Sequence, residues 1–531
     1  MTEAGLVTKH HSIHAYAAFD ARISKVERWI VPQIHPVLGC DAGTVRHRLI
    51  QRLIELTLAP FVSQLAQHLR QNEPFLHPEG ACLNLNGITI NTQSGKVTLT
   101  ALLLMRACID FGAHWLHALY SILFIGTCAP RGKATLVFGV GGESLFYGDD
   151  DQRFAEYCAK GPIGPLSSAS RLIVQDLTHK GSYSDARLSY ARHPFVQLAR
   201  ETRLSWPERL SLLGRHLIIP ARYVWGIVRC RHLALLSRDY AVAPLLAALD
   251  RAGQIEAIVF TNSNYSIQPL WARAPRTYAT HMVWYSQNVI PFVMKADDFA
   301  ADLPNYRYMQ VDTHWVWTEG FRRYLLERGG RLQCAEVVGP VMWYLPGTLG
   351  KNVTASFNVA VFDVTPISDA YAESIGLLGN YYCPSTAIGF LEDVLKATAV
   401  LRGLDAVECK VNLKHKRQYS PTHDRRYIEL VASRSEDGQV KLAPFNTDIY
   451  KFVAESDVVV VIPNSSPACI ASALGIPCIY FDPTEEMRPN FEPAQGVSFA
   501  SGVAALTEQL ANTYKAKRLR MFGNPNEAEM Q

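Results

Sequence analysis

The stretch Asp457–Thr484, DVVVVIPNSSPACIASALGIPCIYFDPT, decides how the rest of this 531-residue chain is read. Its apolar run Asp457–Ile462 does not alternate, the pattern of a parallel strand buried on both faces. The run breaks at Pro463-Asn464-Ser465-Ser466, and a helix of small residues opens behind it over Ser466–Leu474, with Pro467 suited to its first turn. Gly475 and Pro477 end that helix, and a second strand, Cys478–Phe481, follows. Strand, turn, helix and strand in this order make one unit of a parallel sheet covered by helices. A single serine there is an ordinary N-cap. The pair Ser465 and Ser466, with Asn464 beside it, sits where backbone N–H groups and the helix dipole favour a phosphate.

The same texture extends both ways. Upstream lie the strands Asn358–Asp363, Ala406–Leu413 and Val440–Ala443, with a helix over Ser385–Leu401, and a helix over Val503–Arg518 follows. The Pro- and Gly-rich segment Trp343–Lys351 interrupts the pattern. Before it, strands are expected at Ala134–Val140, Arg171–Asp176, Glu256–Thr261, Thr280–Tyr285 and His314–Trp317, and a helix at Glu319–Arg328. Two α/β halves, 131–345 and 352–520, would therefore enclose a cleft, behind a mainly helical region 1–130. In that region Val45–Leu69 has helical spacing, interrupted near Pro60.

Composition narrows the function class. Lys and Arg number 52 against 48 acidic residues, so the net charge of +4 argues against a dedicated nucleic-acid binder. Hydrophobic residues at 48% exclude an intrinsically disordered chain. The 11 cysteines form no CxxC pair, and Cys82, Cys108, Cys158, Cys469 and Cys478 read as small core residues of a reduced, cytosolic protein. The first twelve residues lack the apolar core of a signal peptide. His10, His11 and His14 read as part of an exposed polar tail. Ala101–Gly126 is long enough to span a bilayer, but Arg106, Asp110, His114 and His117 fall along one stripe, which marks an amphipathic, buried or interfacial helix. Leu213–Leu236 mixes Arg215, Arg222, Arg229 and Arg231 with aromatic and aliphatic residues, a composition suited to an anionic membrane surface.

Candidate chemistry gathers at strand ends. Lys414, His415, Lys416 and Arg417 follow a strand and suit the charge of a nucleotide leaving group. Thr365 in Asp363–Pro366 and Ser385 in Asn380–Thr386 are further donor-side candidates. In the N-terminal half, Gly141-Gly142-Glu143 follows a strand: Gly142 lets a ligand approach the backbone, and Glu143 is placed to act as a general base. Asn264, Tyr285 and Asn288 provide hydrogen-bonding edges suited to carbohydrate. Asp149-Asp150-Asp151 reads as a solvated turn, and no metal site is expected.

HMVWYSQN (281–288), FDVTP (362–366), LKHKR (413–417) and IPNSSPACIASALGIPCIYFDPT (462–484) together resemble bacterial surface-polysaccharide glycosyltransferases of the GT-B architecture, over about residues 133–515. The resemblance implies a pair of Rossmann-like domains, a nucleotide-sugar donor bound by the C-terminal half, and a lipid-linked or growing O-antigen or capsule glycan as acceptor. The expected enzyme is cytoplasmic and works at the inner membrane; no metal or other cofactor is expected, because the cationic cluster can replace a metal in stabilising charge, and no nucleic-acid partner is expected from the net charge. The chain is further similar to CMP-sugar transferases of the sialyl and Kdo type, which hold the CMP phosphate with a His-Pro element and a hydroxyl pair. The matching positions are His415, Ser465 and Ser466, although Lys416 stands where the His-Pro element has proline. A nucleotide-sugar epimerase of the same architecture and a non-catalytic assembly scaffold are the alternatives.

Overall fold

The computed structural model describes residues 28–49, 52–53, 82–85, 88–91, 96–140, 150–175, 187–261, 268–273, 276–285, 293–295, 309–328, 334–345, 355–369, 381–405, 408–416, 418–463, 465–488 and 496–522. Helices α1 (28–38) and α2 (42–49) come first. They are followed by an antiparallel meander of β1 (Cys82–Leu85), β2 (Ile88–Asn91) and β3 (Lys96–Leu99). The meander adds an unexpected short sheet to a region whose described residues are otherwise mainly helical. Leu83, Leu85, Ile88, Ile90, Val97 and Leu99 recur with a period of two, and Asn86-Gly87 separates the first two runs. The Val45–Leu69 helix is helical at 42–49 and 52–53, and its remainder, like the His10–His14 tail, lies outside the described residues.

Helix α3 (Ala101–Leu123) leads into the first parallel sheet, its N-terminal Leu103 N–H capped by the Thr100 hydroxyl at 3.4 Å. The strands are β4 (Ala134–Phe138), β5 (Leu172–Gln175), β6 (Leu188–Ala191), β7 (Ile255–Thr261), β8 (Ala279–Val283), β10 (Thr313–Val316) and β11 (Cys334–Val337). Their spatial order is β11-β10-β8-β7-β4-β5-β6, parallel throughout. Around them run α4 (Asp150–Lys160), α5 (Gly164–Ser167), α6 (Pro194–Glu201), α7 (Trp206–Arg229), α8 (Ser237–Arg251) and α9 (Glu319–Arg328).

The second sheet has the order β14-β13-β12-β15-β16-β18 and is also parallel. Its members are β12 (Phe357–Phe362), β13 (Cys409–Lys414), β14 (Lys441–Leu442), β15 (Val458–Val461), β16 (Cys478–Asp482) and β18 (Val497–Ser501). Its helices are α10 (Pro384–Asp405), α11 (Arg425–Glu436), α12 (Ile449–Ala454), α13 (Pro467–Ala473) and α14 (Gly502–Phe522). Ranked by chain order, these strands read 3-2-1-4-5-6, the doubly wound order whose direction reverses between β12 and β15. The four valines of β15 are fully buried, as a central strand requires. The fold is thus a GT-B-like pair of Rossmann-like sheets.

Among the described residues, three links join the halves. β9 (Val293–Met294) pairs antiparallel with β17 (Met487–Arg488). The Asp448 carboxylate accepts from Arg153 of α4 at 2.8 Å and from the Tyr344 hydroxyl, while capping Tyr450 N at 2.8 Å at the start of α12. A continuous apolar cluster runs from Phe154 and Tyr157 through Trp343 to Tyr450 and Val453. Among the described residues, no helix is long and apolar enough to cross a membrane. Cys158, Cys469 and Cys478 are buried as expected, but Cys108 is exposed on α3, because the helix turns that face outward.

Candidate functional site

The strand order of the second sheet reverses between β12 and β15, and open parallel sheets bind ligands in the crevice outside the carboxyl ends at such a point. The register sets Phe362 beside Lys414, so the next residues, Asp363 and His415, emerge side by side. Asp363 is almost wholly buried and its carboxylate is saturated. Oδ2 accepts from His415 Nδ1 and from the Tyr427 hydroxyl, both at 2.8 Å. Oδ1 accepts from Lys416 N at 2.8 Å and the Thr365 hydroxyl at 3.0 Å. With Nδ1 donating to Asp363, His415 presents Nε2 to the Tyr419 hydroxyl at 2.7 Å. Burial, and then the carboxylate of Asp363, push the phenols of Tyr419 and Tyr427 above the ordinary tyrosine range, so both remain protonated donors.

Thr365 has a φ of 44°, a left-handed conformation that a β-branched residue rarely adopts. Its hydroxyl is spent on Asp363, which makes it part of the cluster's frame rather than a donor facing the crevice. Lys414 turns inward, its ammonium donating to the Phe445 carbonyl at 2.8 Å. Burial lowers its pKa from the usual lysine value, opposed by Asp363 and Asp448.

Across the reversal point, β15 leads to Pro463 and the serine pair. Ser465 and Ser466 are half-buried, Ser466 stands at the N-cap of α13 without a side-chain cap bond, and neither hydroxyl bonds a described residue. The Tyr382 hydroxyl donates to the Pro463 carbonyl at 3.0 Å, which draws the N-terminus of the 22-residue α10 against this turn. In that first turn Ser385 is exposed, its hydroxyl 3.0 Å from Cys383 Sγ. The structure thus brings His415, Lys414 and Thr365 into one cluster, with the serines on the neighbouring strand end. Tyr285 is elsewhere, stacked at 6.1 Å on Trp343 at the junction of the halves. Gly142, Glu143, Asn264, Asn288, Arg417 and Asn464 lie outside the described residues.

Sequence reading passed over Asp363, Tyr419 and Tyr427 as site residues. The signal for Asp363 was present: aligning two adjacent apolar parallel strands at their ends sets the aspartate against the histidine. Tyr427 comes from a helix and carries no local sign of its role.

Residues 224–510 match the family described as polysaccharide biosynthesis PFTS motif proteins. The chain belongs to that family. No curated protein sequence matches it. Among solved structures, the wall teichoic acid polymerase TagF is similar at 10% identity over 79% of this chain and 90% of that one, with a TM-score of 0.39. A UDP-N-acetylglucosamine 2-epimerase from Listeria monocytogenes is similar at 10% identity, over 73% and 89%, with a TM-score of 0.36. TarM is similar at 10% identity and a TM-score of 0.32, and the chain spans about half of its length, 52% of each.

Proposed function

We propose that this family member is a glycosyltransferase that moves a sugar from a nucleotide donor to a lipid-linked or growing surface glycan. The observation that carries the reading is the Asp363–His415–Tyr419 chain at the reversal point of a doubly wound sheet, with Ser465 and Ser466, whose hydroxyls bond no described residue, following the neighbouring strand. Asp363 holds the imidazole in one tautomer, and Nε2 with the Tyr419 hydroxyl forms a path for one proton at the crevice. In the proposed step, Ser465, Ser466 and the first turn of α10 hold the donor phosphate, and His415 stabilises the departing nucleotide. Lys414 and Lys416 add positive charge close by, so the reaction needs no metal. Glu143 is proposed as the base on the acceptor side. A CMP-linked ulosonic acid is the proposed donor and an O-antigen or capsule glycan the proposed product.

The proposed workplace is the cytoplasmic surface of an anionic membrane. Helices α3 and α7 pack together, with Phe111 and Tyr223 stacked at 4.0 Å, yet expose large apolar side chains. Leu102, Ile109, Leu116 and Leu123 face outward on α3, and Leu217, Trp225 and Val228 on α7. Arg215, Arg222 and Arg229 are exposed along α7, which complements anionic lipid.

A thermal-shift panel of CMP, CDP, UDP and GDP tests the donor assignment, since a ligand of the native state raises Tm. CMP is expected to stabilise the protein, and the Ser465→Ala/Ser466→Ala variant to lose about tenfold or more in affinity. A shift with UDP alone rejects the CMP donor, and an unchanged affinity in the double variant rejects the phosphate role of the serines. Nucleotide release only when glycan is present separates transfer from epimerisation.

A further inference from the structure

The N-terminal half holds a cavity of about 410 Å³ at the carboxyl ends of β4 and β5, roofed by α3 and α8. The described residues lining it run from Arg48 to Trp271, in the N-terminal region and the first α/β half, so it is separate from the Asp363–His415 cluster. Its polar side carries the guanidiniums of Arg48, Arg52 and Arg238 and the imidazoles of His114, His117 and His193, with Asp239 the one carboxylate among the described lining residues. Its opposite wall is aromatic: Phe138, Phe195 and Trp271, with ring centroids 5.3–6.0 Å apart.

Two features show that this is a built site. Asp239 and Asp110 position the guanidiniums. Asp239 is buried, bonds Arg48 Nε at 3.4 Å and accepts from the backbone N–H of Leu270, while Asp110 bonds Arg238 Nε at 2.8 Å. The imidazole of His117 lies 4.1 Å from that of His193, centroid to centroid, and its Nε2 is buried with no hydrogen-bond partner among the described residues. Burial holds both rings below the usual histidine pKa, so each is a neutral donor–acceptor rather than a fixed charge. A buried polar atom left without a protein partner calls for one from a ligand or water.

The polar stripe of α3 explains why the cavity exists. His114 and His117 line the cavity and Asp110 bonds Arg238 beside it, while Phe111, Ala118 and Ile122 are buried and Leu102, Ile109, Leu116 and Leu123 of the same helix are exposed. One helix therefore exposes large apolar side chains on one side and offers imidazoles to the cavity on another.

We propose that this cavity binds the phosphoryl group of a phosphorylated acceptor among Arg48, Arg52, Arg238 and the histidines, with the carbon body of that acceptor against Phe138, Phe195 and Trp271. The site deepens the acceptor side of the proposed transfer and rests on that reading for its role, while its binding is testable alone. Guanidinium groups match phosphoryl oxygens in geometry as well as charge. A prenyl diphosphate and a soluble sugar phosphate share this chemistry, and the experiment tells them apart.

Titration calorimetry of the full chain with inorganic pyrophosphate, farnesyl diphosphate and glucose 1-phosphate is the test. Pyrophosphate is expected to bind, and Arg52→Gln/Arg238→Gln to weaken it by about tenfold or more. Arg48 is left in place because it bonds the buried Asp239. Tighter binding of farnesyl diphosphate identifies a lipid-linked acceptor, and tighter binding of glucose 1-phosphate a soluble one. The proposal falls if no probe binds, or if Arg131→Gln/Arg251→Gln, which removes two exposed charges outside the cavity, weakens pyrophosphate equally. It also falls if the loss appears in Ser465→Ala/Ser466→Ala instead, which places the anion in the donor crevice. CMP binding measured on the same samples reports the donor site independently, so failure of one reading is distinguishable from failure of the other.

Discussion

The two halves share a parallel, doubly wound plan but differ in how they treat histidine and how they treat their surfaces. In the C-terminal half, His415 is buried beside a carboxylate that fixes the orientation of its ring. In the N-terminal half, His281 and His314 are buried beside indoles: Trp315 Nε1 approaches His281 Nδ1 at 3.4 Å and Trp284 Nε1 donates to His314 Nδ1 at 3.0 Å. An imidazole backed by a carboxylate is suited to moving protons, whereas one packed against indoles serves as a polar core residue. The same residue type thus marks a site in one half and packing in the other.

The largest expected effect tests the first member of that pair. His415→Ala should lower kcat by about 10²–10⁴-fold, the range for loss of a positioned acid or base, while the cooperative melt is retained. Asp363→Asn should lower activity as well, because an amide in place of the carboxylate unsettles the His415 tautomer. It should also destabilise the fold by about 1–3 kcal/mol, since four donors are matched to that carboxylate. Steady-state kinetics and urea unfolding separate the two consequences. Full activity in His415→Ala would end its catalytic assignment.

The second member predicts an acid sensitivity. Burial pushes the pKa of His281 down to about 4 and that of His314 to about 3, while both take a proton near 6.5 once unfolded. Below pH 6.5 the unfolded chain therefore binds more protons than the native one, and stability falls with falling pH until the native rings titrate. Each histidine should contribute a loss of about 1.4 kcal/mol per pH unit in that window. Urea midpoints at pH 7, 6 and 5 check this, and His314→Gln should show a visibly shallower pH dependence than the wild type. Parallel slopes would mean that His314 is protonated in the native state or not buried as described.

The difference between the halves also governed what could be read from sequence. In the second sheet the chemistry sits on strand ends, one or two residues beyond apolar runs, so Lys414, His415, Ser465 and Ser466 could be found by eye. The terminal helix and most strands were likewise legible within a few residues. The cavity had no such signature. Its guanidiniums and imidazoles come from Arg48, His117, His193 and Arg238, on separate helices or in the turn before one, and only tertiary packing collects them. Tyr427 was hidden for the same reason. The β1–β3 meander was missed for a different one: its period-two pattern is short and stands among helical segments, whose spacing dominated the reading.

The smallest expected change in stability probes the surface contrast. The N-terminal half exposes large apolar residues along α3 and α7, with Trp206 74% and Val228 72% accessible, whereas the C-terminal half has scattered ones such as Val400 and Leu519. If the outward face of α7 meets lipid rather than core, Trp206→Ser/Trp225→Ser/Val228→Ser should shift unfolding free energy by only about 0.5 kcal/mol per site. Leu212→Ala, on the buried face of the same helix, should lose about 2–5 kcal/mol. Sedimentation with vesicles containing anionic lipid should show the triple serine variant losing most of its binding, while Val400→Ser/Leu519→Ser keeps it. Isolated apolar residues are normal on any protein surface, but a contiguous set beside arginines is favourable only where lipid covers it. Equal vesicle binding by the triple serine variant and the wild type would show that α7 meets no membrane, and the exposed apolar residues of α3 would then need a different partner.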